Sequence, residues 1–345
     1  MSNVTTIEDD YEYPGWLVFN GLFQTSVHGE GSMSPQEIVD SFDKYSPGSP
    51  NEPDSGFEVM DLSEKLQQMG ELTQATEDFA QGLHSLRYVD EDWMEQWGYD
   101  EHGKEEMYFL PNHDEVRVYW DYVNDVMAFK GRKQLLQRKQ DDLIAALSGD
   151  MKMEPVNFDF DFFLWILYKQ YEQERLSDDL RVRNITRGST SAETKDNMGA
   201  GDVKDSNNIL RSVLMIAPIL SGKKIDKIQG NFIMGNHQVK AQIEFGGKVH
   251  VKVSDSPLST LSDLRRMGVS LRLLSELVTL FDDWEHLEPE DRYPPPSFFD
   301  DMADNAEEEG WGPRFDPEEV KARYERKRQG TPDDNYKTAA AEDAS

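Results

Sequence analysis

Lys227, Lys240, Lys248, His250 and Lys252 fall close together, interleaved with Gln229, Asn231 and Gln242. Lysine brings positive charge to a phosphate backbone, and side-chain amides add hydrogen bonds to phosphate and sugar. These residues share a surface only if something alternates them to one side. A three-stranded antiparallel meander over about 224–254 would do so, with turns at Gly235-Asn236 and Gly246-Gly247. A three-residue loop at 245–247 sets Ile243 opposite Val249, Ala241 opposite Val251 and Val239 opposite Val253. All the apolar side chains then lie on the other face, as a half-buried sheet requires. Arg132 and Lys133, with Lys130, Arg138 and Lys139, form a second basic cluster. The expected partner is nucleic acid or a nucleoprotein. An ordinary solvated sheet face would use the same residue types, and this one lacks the aromatic stacking platform common in RNA-binding sheets.

Asp159 and Asp161 flank Phe160 just before a strongly apolar stretch. On extended backbone their carboxylates would point to the same side, as ligands of a divalent metal cofactor do. Asp161 would equally cap a helix starting at Phe162. The pair supports an alternative function, a metal-dependent enzyme. Other catalytic patterns are missing. No serine sits in a GxSxG elbow, and the chain has no cysteine, which removes thiol nucleophiles, thiolate metal sites and disulfides. Ser221-Gly222-Lys223-Lys224 ends like a phosphate-binding loop, but Ala217 stands where a glycine is needed and Lys224 where Ser or Thr would hold magnesium. His113-Asp114-Glu115 is read as a surface turn. No catalytic residue is assigned, and the balance favours a non-enzymatic binding or regulatory protein.

Charge sets these residues in context. The 345 residues carry 67 acids against 36 Lys and Arg, a net charge of −31. At low ionic strength such a surface repels itself. At about 1 M salt the screening length falls to about 3 Å, which relieves the repulsion. The composition is therefore of halophilic type. Its distribution is uneven: residues 1–126 hold 28 acids and 5 bases, whereas 127–280 hold 19 acids and 23 bases. The candidate lysines lie in the near-neutral middle.

The elements expected to position these groups form an α+β fold. The meander packs with helices at about 162–173, 207–217 and 258–284, preceded by a smaller α+β N-terminal part. In that part the pattern predicts a strand over 15–24, a helix from the Ser34-Pro35 cap to about Tyr45 and a helix over 61–84. An acid-rich irregular stretch follows at 89–106, then short strands at 115–120 and 124–129 and a helix at 132–147. Three regions follow from charge: 1–104, a core at 105–286, and an acidic, largely disordered tail at 287–345. Residues 316–329 of the tail could form one charged helix. Residues 297–315 alternate aromatics with dense acid and suit a protein partner, giving a third reading as an interaction subunit. The N-terminus has neither a basic nor an apolar leader region, and the longest apolar run, Val213–Leu220, is too short to cross a bilayer. A cytoplasmic location without membrane contact is expected.

Overall fold

The computed structural model describes residues 15–27, 33–69, 74–147, 151–190, 202–203, 209–253, 262–308 and 317–331. The chain is mixed α+β with two antiparallel sheets. It divides into two compact units, each drawn from separate stretches of sequence. The first comprises Met1–Val156, Gly247–His250 and Thr260–Ser275; the second comprises Asn157–Gly246, Val251–Ser259 and Glu276–Ser345.

The first unit contains β1 (Leu17–Phe19), β2 (Gly21–Val27), α1 (Pro35–Ser41), β3 (Ser55–Met60), α2 (Leu62–Gln68) and α3 (Gln74–Gln81). There follow β4 (Leu83–Tyr99), β5 (Glu105–Asp121), β6 (Val126–Lys130), α4 (Lys133–Leu147) and β7 (Met151–Pro155). Its sheet runs β3-β4-β5-β6-β2-β7. The start of α1 carries the capping box read from the sequence: Ser34 N–H donates to Glu37 Oε2 at 2.7 Å, and Glu37 N–H donates to Ser34 Oγ at 3.3 Å. Phe23, Trp120, Met127 and Phe129 of the strands meet Leu136 and Leu143 of α4 in the core.

Three expectations differ from the structure of this unit. The single helix over 61–84 is two helices, α2 and α3, and the chain is already a strand by Leu83. The stretch 89–106 is not irregular. Most of it belongs to β4 and β5, which pair without interruption from Leu83 with Asp121 to Tyr99 with Glu105. Dense acid interrupts the apolar alternation there, so neither the length of the strands nor the hairpin joining them shows in the pattern. His113, read as part of a turn, lies within β5.

The second unit is built on α5 (Phe160–Tyr171), β8 (Leu180–Thr190), β9 (Asp202–Val203), a 3-10 turn at Ile209–Arg211, α6 (Val213–Leu220), β10 (Ile225–Met234) and β11 (His237–Glu244). β12 (Val249–Val253) and α7 (Asp263–His286) contribute residues to both units. α8 (Pro289–Arg292), α9 (Pro296–Glu308) and α10 (Glu318–Arg328) complete it. The meander is present, with Val239, Ala241, Ile243, Val249, Val251 and Val253 all buried. α5 buries six consecutive side chains from Phe162 to Leu167 and packs on β8 and β10. The backbone there is tight: a Cβ at Gly230 would stand 2.7 Å from the carbonyl oxygen of Asn184. Gly235 turns β10 into β11 at φ 53°, a left-handed conformation that glycine adopts without strain.

The described part of 287–331 is not a disordered tail. Phe298, Phe299 and Met302 of α9 and Val320 and Tyr324 of α10 are buried. The Phe298 ring meets Tyr168 and Tyr171 of α5, and Trp165 Nε1 donates to the Asp291 carbonyl at 3.2 Å. A few well-spaced aromatics hold these helices in place, although acids outnumber them. Residues 309–316 and 332–345 lie outside the described set. No described helix is long and apolar enough to cross a membrane.

Candidate nucleic-acid interface

Directly opposed residues in an antiparallel pair share a face, so the β10–β11 register defines the polar side of the second unit's sheet. It sets Lys227 opposite Glu244, Gln229 opposite Gln242 and Asn231 opposite Lys240. Gln242 Nε2 donates to Glu244 Oε1 at 2.7 Å. On the other flank, β8 brings Arg187 opposite Gln229, Asn184 opposite Asn231 and Arg181 opposite Ile233. Asn231 Nδ2 donates to Asn184 Oδ1 at 2.9 Å, and Arg183 reaches Gln238 of β11 at 3.1 Å. Lys252 of β12 is exposed.

The face therefore gathers Arg181, Arg183, Arg187, Lys227, Lys240 and Lys252, with amides between them. The sequence reading missed the three arginines. For Arg181 and Arg183 the signal is Leu180-Arg181-Val182-Arg183, an alternation of apolar and basic residues that suits a strand. Arg181 and Arg183 also line an open groove of about 840 Å³, together with Arg211, Gln170, Gln173 and one carboxylate, Glu174. The anchors are firm: Gln229 is 4% exposed, and Lys227 and Lys240 are half-buried.

The other proposed contacts fall in the first unit. Lys248 and His250 are half-buried there, and the His250 ring lies edge-on to Trp16 at 6.4 Å. Arg132 and Lys133 are exposed at the start of α4. Their cluster is partly neutralised, because Arg138 pairs with Asp114 at 2.5 Å and Lys139 with Asp90 at 3.0 Å. Lys130 lies opposite Arg117, and burial, followed by that charge, pulls its pKa down to about 8.

Asp159 and Asp161 do different work. Asp159 is the N-cap of α5, its Oδ1 accepting the Asp161 N–H at 2.7 Å. Burial, then the neighbouring Asp161 charge, raises the Asp159 pKa. Asp161 points into the interior, where Tyr324 O–H donates to Oδ1 and Lys327 Nζ donates to Oδ2 at 2.5 Å. Asp161 and Lys327 are only 5% and 3% exposed, so this is a buried ion pair joining α5 to α10. Both Asp161 oxygens already have donors, and no group of three His, Asp or Glu side chains that could hold a metal occurs among the described residues.

No protein-family model matches the chain, and no curated protein matches it either.

Proposed function

We propose that the second unit is a nucleic-acid-binding module, within a cytoplasmic binding or regulatory protein of halophilic type. The observation that carries this reading is the convergence of six cations from β8, β10, β11 and β12 on one side of a sheet, in a chain whose net charge is −31. Overall charge repels a polyanion, so a local cationic face supplies the attraction. Arginines at the sheet margin reach phosphates, and Gln and Asn offer hydrogen bonds to phosphate and sugar oxygens. Binding is then governed by backbone contacts and falls as salt rises.

Retention of single- and double-stranded oligonucleotides across a KCl series tests the module. The Arg181→Glu, Arg183→Glu, Lys240→Glu variant should lose at least about tenfold in affinity and show a shallower salt slope. Failure of the unmutated protein to retain either oligonucleotide at about 0.1 M KCl, where the screening length is still about 10 Å, overturns the reading. The halophilic part has its own test. Melting temperature should climb with KCl into the molar range as repulsion is screened. A flat or falling curve overturns it.

A further inference from the structure

We propose that the outer half of the β4–β5 hairpin is a docking arm for an extended, basic and apolar segment of another protein. The pairing explains why it stands apart. β3 pairs with β4 only from Ser85 to Asp90, and β6 pairs with β5 only from Arg117 to Asp121. Between those limits no strand among the described residues pairs with the hairpin. Two-stranded ribbons are marginal in water by themselves, and contiguous exposed apolar surface on a protein marks an interaction site.

The arm's side chains are apolar on both faces. On one, Trp97 stands opposite Met107 and Glu95 opposite Phe109; on the other, Met94 stands opposite Leu110. Trp97 is 65% exposed and Tyr99 73%, and Met94, Met107, Phe109 and Leu110 are all exposed as well. The backbone suggests how a partner would join. Pro111 lacks an N–H, so β5 offers an incomplete edge. The β4 edge continues the line of β3, and beyond Glu91 N–H, bonded to the Asp54 carbonyl, and Trp93 N–H, bonded to Asp92 Oδ1, an added strand would pair from Glu95 onwards.

Charge selects the occupant. Residues 91–116 hold nine carboxylates and one lysine, Lys104. That sign repels nucleic acid, an anionic membrane and the same arm of a second copy. It attracts a strand whose side chains alternate between apolar and Lys or Arg. Such a strand would cover Trp97, Tyr99 and Phe109 on one face while its cations meet Asp92 and Glu106 on the other.

The probe is a labelled peptide of about eight residues alternating Lys and Val, long enough for a typical strand. It is titrated into the full chain at about 0.15 M KCl, where the screening length is about 8 Å. A Glu–Val peptide serves as control. Trp97→Ser with Phe109→Ser removes the apolar surface and keeps the charge; Glu105→Gln with Glu106→Gln does the reverse. Each should weaken Lys–Val binding at least tenfold, and the control should not bind. Tyr99→Ser, at the tip, is the milder variant if the double serine variant melts early, and should weaken binding at least threefold. Equal affinity for the unmutated protein and all variants overturns the proposal, since the peptide would then bind acidic surface elsewhere. So does concentration-dependent dimerisation that the serine variant abolishes, because the occupant would then be a second copy.

Discussion

The β10–β11 hairpin of the second unit and the outer β4–β5 hairpin of the first are both antiparallel ribbons, with opposite chemistry. β10–β11 has strands on both flanks and α5 against β10. Its inward residues are therefore uniformly apolar, leaving the polar side free to specialise in cations and amides. Among the described residues the β4–β5 arm has neither flanking strands nor a single buried side. Apolar and acidic residues mix on both its faces, at a length where most of the side chains meet solvent. Backing, more than strand propensity, decides whether a ribbon is forced into strict alternation.

Substitutions should separate the two ribbons, beginning with the largest effect. Phe232 is fully buried on the backed side of β10. Phe232→Ala should cost about 3–5 kcal/mol in denaturant unfolding, the usual range for a buried aromatic. Trp97→Ala on the arm should change stability by no more than about 0.5 kcal/mol, as for surface positions. Comparable losses at the two sites would end the contrast. Between these extremes lies Lys130, where β6 meets the foot of the arm opposite Arg117. Its folded pKa of about 8 lies below its ordinary 10.5. Below pH 8 both states carry the proton, and the cost of a buried charge is fully present. From pH 8 to about 10.5 the unfolded chain holds a proton that the folded one has released, so stability rises with pH. Lys130→Met should add about 1–2 kcal/mol at pH 7 and flatten that rise. An unchanged pH profile would show that the lysine is not strained by burial.

The contrast also explains what could be read from the sequence. The meander was legible because Val239, Ala241, Ile243, Val249, Val251 and Val253 alternate without exception and are all buried. The arm was illegible because Glu95 stands in the same row as Trp97, and Glu105 and Glu106 precede Met107. Residues 287–331 misled for a related reason: Phe298, Phe299 and Met302 are too few to outweigh the surrounding acids in composition, though their spacing suits one helix face. Asp161 was read as the cap of a helix starting at Phe162, but the helix starts at Phe160 with Asp159 as its cap, and Asp161 turns inward to Tyr324 and Lys327. No local pattern announces a partner so distant. The arginines of β8 needed only the register with β10 to become part of the same face as Lys227 and Lys240.

The Asp161–Lys327 pair links positions 166 residues apart. A chain made from its N-terminus exposes Asp161 long before the ammonium that neutralises it has been synthesised. Until then the carboxylate must stay hydrated or take up a proton, and either state keeps the start of α5 from settling into an apolar interior. Completion of the second unit is thereby delayed until Lys327 has been made, so the emerging polypeptide passes the synthesis of the intervening residues with the aromatic side of α5 unfinished.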